Sequence, residues 1–366
     1  MRYGIIGSGM MGQEHIRNIA LLEDARVVAV ADPHDGMRDA ARALAGPDCA
    51  GFEDPAPLLD GNLCDALVIA TPNDTHFDLL RSALSTDLPI LIEKPLCTTL
   101  DECRTIEALG ASRRAPVWVA MEYRYMPPVA RLINAVRAGT AGRVRMLSIR
   151  EHRFPFLAKV GDWNRFADRT GGTLVEKCCH FFDLMRLILG ARPVRVFASG
   201  GMDVNFLDET YEGRRPDILD NAYVVVDFDG GARAMLDLCM FAEGSYWQEE
   251  ISVTGDRARI DARVPGPARF SADGAERHSE IVVSPRDTKR PVHDVVAVDE
   301  TILSAGDHHG STFYQHQRFQ RMVAEGGDPE VTLTDGMIAV AVGAAAEQSA
   351  RSGQPVMLRD FGAASR

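Results

Sequence analysis

Two side chains that could exchange a proton lie four residues apart near the middle of the chain. Gly171 and Gly172 lead into a pattern that predicts a helix, along which Glu176 and His180 are followed by Asp183. At about 100° per residue, the last three side chains fall on one face of that helix. An acid beside an imidazole can steer its tautomer, and the imidazole can then move a proton near neutral pH. The segment therefore predicts the acid–base half of an active site, which needs a partner for the redox or bond-breaking step.

The composition indicates a globular chain and excludes several classes of protein. The 366 residues include 40 basic and 52 acidic side chains, which argues against an electrostatic nucleic-acid binder. The N-terminal segment lacks a signal peptide's long apolar run, and no stretch is apolar for long enough to cross a bilayer. Seven cysteines without Cys-x-x-Cys spacing predict neither a disulfide framework nor a structural zinc site. We therefore expect a reduced, cytoplasmic enzyme with two domains.

A glycine-rich segment near the N-terminus predicts a dinucleotide as the missing partner. A strand at residues 2–6 leads directly into Gly7-Ser8-Gly9-Met10-Met11-Gly12, and a helical pattern follows. The first glycine permits a tight turn, the second lets the backbone approach a pyrophosphate, and the third allows close helix–strand packing. Backbone N–H groups at the helix start then face the phosphate charge. The alternative, a tight turn that binds no ligand, fits this strand–helix context less well.

An acidic residue at the end of the second predicted strand sets the expected cofactor. Asp32, followed by Pro33, comes twenty residues after the last glycine of the fingerprint. Its carboxylate suits the hydroxyls of the adenosine ribose and would repel a 2′-phosphate. Arg38 lies among acidic residues and is a poor phosphate ligand. The sequence therefore favours NAD over NADP.

The strands that follow bring further polar residues to the same edge. Apolar runs at residues 66–70, 89–92 and 117–121 alternate with helical patterns, as expected of buried parallel strands. The candidate cofactor residues that follow these runs are Thr71, Pro72, Asn73, His76, Glu93, Lys94 and Glu122. Ligands of an open parallel sheet bind beyond the carboxyl ends of its strands. Residues 1–122 are therefore predicted to form an NAD-binding Rossmann domain.

The pattern changes in the rest of the chain, residues 123–366. Predicted strands lie at residues 144–152, 194–199, 223–228, 232–240, 249–254 and 257–262. Turns such as Asp229-Gly230-Gly231 separate consecutive strands without helices, which predicts a mostly antiparallel α+β domain. Residues 264–290 predict no element. Two helices, at about 311–325 and 335–352, close the chain, and we expect them to pack back on the first domain.

Several polar side chains of the second domain could contact a substrate. The candidates, besides Glu176 and His180, are Arg124, His152, Arg153, Lys159 and His309. Each could equally be a solvated loop charge or a helix cap. Cys178 and Cys179 precede His180, but adjacent helical residues point about 100° apart, so no metal site is predicted. Lys177 is left out because it points about 100° away from the face of Glu176.

These motifs together resemble a known family, the glucose–fructose oxidoreductase, inositol dehydrogenase and rhizopine-catabolism (Gfo/Idh/MocA) group. The resemblance covers essentially the whole chain and rests on the glycine fingerprint, Thr71-Pro72-Asn73, Glu93-Lys94-Pro95 and the segment from Gly171 to Asp183. It implies a Rossmann domain followed by an α+β domain with a large open, mostly antiparallel sheet that often mediates dimer or tetramer contacts. It also implies NAD(P)-dependent oxidation or reduction of a sugar or cyclitol carbon.

The resemblance implies roles for individual residues. Lys94 matches the family's lysine beside the reacting oxygen, and His180 matches its proton-transfer residue. Glu176 stands where the family usually has a substrate-contacting Asp, which leaves the contacted hydroxyl uncertain. These roles agree with the chemistry of alcohol oxidation, in which the cofactor takes a hydride, a base takes the hydroxyl proton and a cation stabilises the alkoxide.

Further positions follow from the same resemblance. Glu93 matches a contact to the nicotinamide ribose, and the bond between Lys94 and Pro95 is commonly cis. Trp163 and Arg165 lie where relatives contact the nicotinamide or close over the substrate, although simple loop packing is an equal alternative. The expected activity is that of an NAD-dependent dehydrogenase acting on a secondary hydroxyl of a sugar, glycoside or cyclitol. Two alternatives stay open: glycoside cleavage by transient oxidation and re-reduction, and a non-catalytic NAD-binding regulator.

Overall fold

The first sheet of the computed structural model is parallel and six-stranded. The model describes residues 1–60, 62–272, 274–275 and 277–361. The strands of this sheet are β1 (Arg2–Ile6), β2 (Arg26–Ala31), β3 (Ala50–Phe52), β4 (Ala66–Ile69), β5 (Ile90–Ile92) and β6 (Val117–Val119). Their order is β3-β2-β1-β4-β5-β6, and every pair is parallel. The predicted Rossmann-like sheet is confirmed.

The order of the strands reverses between β1 and β4, which places a crevice at the carboxyl ends of these two strands. All four residues of β4 are buried, as its continuous apolar run requires. The helices that connect the parallel strands are α1 (Met10–Ile19), α2 (Asp35–Ala45), α3 (Ala56–Leu59), α4 (His76–Ala83) and α5 (Leu100–Gly110). Helix α5 begins with the capping box that Thr99 and Glu102 form.

The second sheet has nine strands and is antiparallel except at one pair. Its strands are β7 (Val144–His152), β8 (Pro193–Gly201), β9 (Asn221–Phe228), β10 (Arg233–Cys239), β11 (Glu249–Gly255), β12 (Ala258–Val264), β13 (Ser279–Pro285), β14 (Val292–Val296) and β15 (Val356–Met357). Their order is β14-β13-β12-β11-β7-β10-β9-β8-β15, and only β7 and β10 pair in parallel. The large, mostly antiparallel sheet is confirmed. β13, which begins inside the polar stretch at 264–290, and β14 just beyond it were not predicted.

Helices cover one face of the second sheet and also contact the first domain. They are α6 (Pro127–Arg137), α7 (Ala167–Thr170), α8 (Thr173–Glu176), α9 (Cys179–Leu189), α10 (Glu300–Ser304), α11 (Ser311–Glu325) and α12 (Leu333–Ser352). Helix α12 packs against α5 of the first domain as well as against α8, α9 and β8. A Cβ atom at Gly343 of α12 would lie 2.5 Å from the carbonyl oxygen of Leu174, so this close approach requires glycine. No helix among the described residues is long and apolar enough to span a membrane.

The predicted single helix with Glu176, His180 and Asp183 on one face is wrong. Helix α8 ends at Glu176, and α9 begins at Cys179. At the break, the backbone N–H of Cys178 donates to the carbonyl of Thr173 at 3.4 Å, five residues back. The carbonyl of Glu176 is thereby freed from the helical ladder and accepts a hydrogen bond from Lys94 Nζ instead.

Candidate active site

The glycine fingerprint contains two glycines that the fold requires and one that leaves space. A Cβ at Gly7, whose φ is +90°, would lie 2.6 Å from the carbonyl oxygen of Ala70, and one at Gly12 would lie 2.1 Å from the carbonyl oxygen of Gly7. A Cβ at Gly9 would meet no described atom within 4 Å. Met10, the first residue of α1, is 41% exposed, so the N-terminus of this helix is open. An open helix N-terminus beside an unfilled glycine position fits the pyrophosphate of a dinucleotide.

The carboxylate of Asp32 is held at the same edge by backbone donors. The N–H of Ser8 donates to Asp32 Oδ2 at 2.7 Å, and that of His34 donates to Oδ1 at 2.9 Å. Each carboxylate oxygen keeps a second lone pair that a ribose hydroxyl could use. Pro33 lies exposed beside it. Arg38 is engaged by the carbonyl of Asp32 and the carboxylate of Asp35, so its guanidinium is already bound away from a 2′-phosphate.

The turn after β4 is tied to the turn after β5 through His76. Its Nδ1 lies 2.8 Å from the carbonyl oxygen of Pro95, and its Nε2 lies 3.1 Å from that of Thr71. The peptide bond between Lys94 and Pro95 is cis, as the resemblance implies. Since both ring nitrogens of His76 contact backbone carbonyls, this residue supports the cofactor edge rather than offering a donor to a ligand. Asn73, in contrast, has a buried amide nitrogen without a partner in the part of the chain that the structure describes.

Glu93 is buried and held by two groups. Its Oε1 lies 3.0 Å from His15 Nε2, and its Oε2 accepts the backbone N–H of Lys94 at 3.1 Å. Burial by itself would raise the pKa of Glu93, but the hydrogen bond with His15 and the charge of Lys94 leave it below its ordinary value. Glu93 is therefore an ionised acceptor directly before the candidate catalytic lysine.

A buried cluster of two acids and one histidine joins α1 to the segment before α11. His308 Nδ1 lies 2.8 Å from Glu14 Oε1 and 3.5 Å from Glu122 Oε1. Thr312 Oγ1 lies 3.0 Å from Glu14 Oε1 and 2.5 Å from Glu122 Oε2. Burial lowers the pKa of His308, but the two carboxylates outweigh it and raise the pKa to about 9. The neighbouring His309, which the sequence predicts as a substrate ligand, has its Nε2 3.1 Å from Ser279 Oγ. Its assignment to the substrate stays a prediction.

Lys94, Glu176, Lys159 and Trp163 form the centre of the candidate site. Lys94 Nζ donates to the carbonyl oxygen of Glu176 at 3.1 Å. Lys159 Nζ lies 3.4 Å from Glu176 Oε1 and 4.3 Å from the centroid of the Trp163 ring. Glu176 Oε2 is buried and has no hydrogen-bond partner among the described residues, so it is an acceptor available to a hydroxyl. Although burial disfavours its charge, the carboxylates of Glu176 and Glu93 and the adjacent Cys179 hold the pKa of Lys94 above its usual value.

His180 lies beside this centre and is held by an aromatic ring. The imidazole stacks on Tyr123 with ring centroids 4.1 Å apart and planes 4° apart. Burial and the charges of Lys94 and Lys177 hold its pKa well below 6.5, so the ring is neutral and able to accept a proton. The expected acid that steers its tautomer is missing, because Nδ1 is buried without a hydrogen-bond partner in the described part of the chain.

Arg124 and Asp183 contact each other rather than the centre. Arg124 Nε donates to Asp183 Oδ2 at 2.6 Å, and Nη2 lies 2.5 Å from Oδ1. The remaining nitrogen, Nη1, donates to the carbonyl oxygen of Glu330. Both side chains are at least 90% buried. The structure thus places Arg124, predicted as a substrate ligand, in an ion pair that anchors α9.

The alternation of side chains along and just after β7 places the neighbouring candidates His152 and Arg153 on opposite faces of the second sheet. Glu151 is fully buried on the face that contacts the helices, and Lys177 Nζ lies 2.8 Å from its Oε1. His152 points to the opposite face, where its Nε2 lies 3.1 Å from Asp237 of β10. The assignment of His152 to the substrate site is therefore wrong, since successive side chains of a strand point to opposite faces. Arg153 returns to the buried side, with Nη1 3.6 Å from Glu151 Oε1.

Arg165 also has other partners than the site centre. Its Nε donates to Glu209 at 3.1 Å, and its guanidinium carbon lies 4.2 Å from the centroid of the Phe206 ring. Trp163, two residues earlier, does join the centre through Lys159. Across the described residues, no group of three or more His, Cys, Asp or Glu side chains is placed to bind a metal ion.

The sequence analysis missed Tyr123, Lys177, Glu151 and His308. Lys177 was left out because a continuous helix was assumed. The composition of the chain contains one signal that could have indicated the lysines of the site. Only four of the 40 basic residues are lysines, and three of these, Lys94, Lys159 and Lys177, lie around Glu176 and His180.

Comparisons with known proteins cover both halves of the chain. A family model described as "Oxidoreductase family, NAD-binding Rossmann fold" matches residues 1–121. A second, described as "Oxidoreductase family, C-terminal alpha/beta domain", matches residues 133–358. Inositol 2-dehydrogenase of Rhizobium meliloti (strain 1021) is 26% identical and aligns over 95% of this chain and 96% of its own length. Myo-inositol 2-dehydrogenase of Thermotoga maritima is 27% identical and aligns over 98% of this chain and 99% of its own length.

Solved structures share the fold. A levoglucosan dehydrogenase in complex with NADH superposes with a TM-score of 0.80 at 19% identity, over 98% of this chain and 99% of that chain. A probable dehydrogenase from Thermotoga maritima gives a TM-score of 0.77 at 23% identity, over 99% and 100%. The arrangement of a parallel and a mostly antiparallel sheet is therefore shared along the entire length of these proteins.

Proposed function

Because the chain belongs to the Gfo/Idh/MocA family of oxidoreductases, with an NAD-binding Rossmann domain, we propose that it is an NAD-dependent dehydrogenase of a sugar, glycoside or cyclitol such as an inositol. It would oxidise a secondary hydroxyl carbon or reduce the corresponding keto carbon. One observation carries the proposal: Lys94 Nζ, at the cofactor edge of the parallel sheet, contacts Glu176 in the segment that presents His180. A cation, an acceptor and a neutral imidazole thus converge beside the nucleotide-binding crevice.

The side chains of Lys94 and His180 can divide the work of alcohol oxidation. A nicotinamide held at this edge would supply the acceptor for the hydride of the carbinol carbon. Neutral His180 accepts the hydroxyl proton, and the Lys94 ammonium stabilises negative charge that develops on the oxygen. The hydrogen bond to the Glu176 carbonyl restrains Lys94, so that the ammonium is oriented before the substrate arrives.

The surroundings of Glu176 favour a substrate with several hydroxyl groups. Glu176 Oε2 is a buried acceptor without a partner among the described residues, and Lys159 Nζ is a donor next to it. A buried polar group gains a hydrogen-bond partner when a substrate with a matching hydroxyl binds. It stays without a partner when the bound compound lacks that hydroxyl, so the site favours the hydroxylated compound. Inositol and levoglucosan dehydrogenases among the similar proteins act on compounds of this kind by name.

A polyol panel tests the proposal. The purified protein is incubated with NAD and inositols, aldoses, glycosides and anhydrosugars, and NADH is followed at 340 nm. We expect turnover of at least one compound, and a loss of about 100-fold or more in kcat in Lys94→Met and His180→Asn. Turnover at the wild-type rate in both variants would contradict the assigned roles.

The same panel separates the two alternatives. Glycoside cleavage with tightly bound cofactor and no net NADH would indicate the redox-cycling mechanism. Absence of any product would favour a regulator, although a protein that only senses the nucleotide has no need of the Lys94–Glu176 contact beside His180.

We further propose that the chain forms a homo-oligomer, a dimer or tetramer, through the outer face of the second sheet. Phe197, Val225 and Met235 lie in register across β8, β9 and β10 and are all exposed, as is Tyr223 at 62%. A contiguous apolar row on a sheet face is typical of an interface. Light scattering should give a mass of two or four chains, and Val225→Lys should reduce it to one. A monomeric wild-type protein would contradict this proposal.

A further inference from the structure

Lysine is rare in this chain and concentrated at the site. The sequence has four lysines and 36 arginines, and ion pairs elsewhere in the described structure are formed almost entirely by arginine. Lys289 is exposed in a turn, whereas Lys94, Lys159 and Lys177 lie around Glu176 and His180. An ammonium is a compact point charge on a flexible stem, whereas a guanidinium is a planar fork, so the two are not interchangeable at a buried site. Lys94 and Lys159 have roles in the proposed function, whereas Lys177 has none so far.

Lys177 is buried and contacts both Tyr123 and Glu151. It is 5% exposed, its Nζ donates to Tyr123 Oη at 2.5 Å, and the same atom lies 2.8 Å from Glu151 Oε1. Glu151 is directly opposite Glu249 across β7 and β11, and both acids are buried. A buried ammonium is stable only where acids and hydroxyls compensate for its lost hydration, so this environment is built around Lys177.

Tyr123 connects this environment to the candidate base. Its ring stacks on the imidazole of His180 at 4.1 Å, and its hydroxyl is held by Lys177. His180 Nδ1 has no hydrogen-bond partner among the described residues, so no carboxylate or carbonyl orients the ring through that atom. The stack with Tyr123 is therefore the contact that sets the plane of the imidazole.

We propose that Lys177 is a positioning residue for His180: it anchors Tyr123 through the phenol hydroxyl, and Tyr123 holds the imidazole by stacking. A catalytic imidazole is commonly oriented by a hydrogen bond to its second nitrogen. In this site an ion pair and an aromatic ring replace that hydrogen bond. The expected effect on kcat rests on the proposed function of His180, whereas the expected effect on the orientation of the imidazole does not.

The charges around His180 determine what should change when Lys177 is removed. The groups that face it are Lys94 after β5, Lys177 between α8 and α9, His308 before α11 and Arg153 after β7. All of them are cationic and, together with burial, they lower the pKa of His180. Removing the charge of Lys177 should therefore let His180 titrate at a higher pH.

A titration of the imidazole tests the inference without any substrate. The protein is labelled with ¹³C in the histidine rings, and the His180 signal is assigned by its absence in His180→Asn. In Lys177→Met we expect the midpoint of the His180 titration to rise by about one pH unit. Lys289→Met, which removes the exposed lysine, should leave the midpoint unchanged. An identical His180 titration in wild type and folded Lys177→Met would overturn the inference.

Two further variants keep the inference testable if Lys177→Met does not fold. Lys177→Met leaves Glu151 buried without its cation, whereas Lys177→Met combined with Glu151→Leu removes both charges. Tyr123→Phe keeps the stacking ring and loses only the hydroxyl, and it should fold. Since Lys177 then no longer anchors the ring, its His180 signal should broaden or shift. Unchanged signals in the double variant and in Tyr123→Phe would also overturn the inference.

Kinetics then separate this inference from the proposed function. With an active polyol, Lys177→Met and Tyr123→Phe should each lower kcat about tenfold, because a small misplacement of a base is costly, with little change in KM for NAD. Tyr123→Leu, which removes the stack, should lower kcat about 100-fold. If no polyol is oxidised but the His180 signal of Tyr123→Phe broadens or shifts as expected, the proposed function fails and the positioning role stands. If polyols are oxidised at wild-type kcat by both variants, the positioning role fails and the proposed function stands.

Discussion

The two halves of the candidate site are held in place by different means. On the cofactor side, backbone geometry positions the ligand-facing groups: Gly7 and Gly12 allow contacts that no side chain would fit, and backbone N–H groups hold Asp32. On the substrate side, side chains do this work. His180 is stacked on Tyr123, and Lys177 is paired with Glu151 from a strand of the second sheet.

This difference determines which changes each half tolerates. The cofactor half depends on the local sequence and on glycines at which no side chain fits. It should therefore be disrupted when a substitution adds a Cβ atom that collides with the backbone. A half defined by buried charges depends on partners that are distant in the sequence, so it fails when one partner is removed and the other remains buried. The predictions below test whether the two halves do fail in these two ways.

The largest effect on stability is expected at the ion pair that anchors α9. Arg124→Met leaves Asp183 buried without its cation, which should lower the free energy of unfolding by about 3–5 kcal/mol. Arg104→Met, which breaks the exposed pair with Asp101, is the matched control and should cost less than about 1 kcal/mol. Urea unfolding measures both values. Equal, small losses would show that buried pairs do not define the substrate half.

His308 should make stability depend on pH, because it joins the two halves. Its pKa is raised to about 9 in the folded protein, against an ordinary value of 6.5. The stabilisation is therefore fully present below about pH 6.5 and is lost as the pH rises through about 9, by up to about 3 kcal/mol. Unfolding experiments at pH 6 and pH 9.5 should show this loss in wild type and less of it in His308→Gln. The same pH dependence in both proteins would exclude His308 as its source.

Two glycine substitutions probe the cofactor half. Gly12→Ala places a Cβ against the carbonyl of Gly7 and should destabilise the protein by about 1–3 kcal/mol. Gly9→Ala meets no described protein atom, so Tm should be unchanged while the affinity for NAD falls about tenfold or more. Thermal unfolding and calorimetric titration with NAD distinguish the two. Unchanged affinity for NAD in Gly9→Ala would contradict the assignment of this space to the dinucleotide.

The smallest effect is expected from shortening Glu176. Glu176→Asp withdraws the carboxylate by one methylene from Lys159 while leaving the backbone carbonyl that Lys94 uses. We expect KM for individual polyols to change by about three- to tenfold, with a new order of preference and little change in kcat. Glu209→Asp, at the partner of Arg165, is the control and should leave the order unchanged. A loss of kcat instead would place Glu176 in the chemical step.

The sequence predicted the cofactor half better than the substrate half for a physical reason. The parallel strands, the turn glycines, Asp32 and the cis Lys94–Pro95 bond belong to local motifs, and each appears in the structure at the expected edge. The mostly antiparallel sheet was also predicted, because alternating runs and turn residues are local signals.

Features that depend on distant partners could not be predicted in this way. Whether His152 or Glu151 faces the site depends on which face of β7 the helices cover. Arg124 was expected at the substrate, whereas it is paired with Asp183. The two residues are 59 positions apart, so no local pattern in the sequence links them. The break between α8 and α9, which frees the Glu176 carbonyl for Lys94 Nζ, is not revealed by the periodicity of the sequence.

The most direct test of the account follows a hydrogen atom from substrate to cofactor. A polyol that is oxidised is prepared with deuterium at the reacting carbon, and single-turnover reactions with NAD are analysed by mass spectrometry for deuterated NADH. The account predicts transfer of the label in wild type, and transfer at least about 100-fold slower in Lys94→Met and His180→Asn, with the Kd for NAD within about twofold of wild type. Transfer of the label at the wild-type rate in both variants, or oxidation without label on the cofactor, would contradict it.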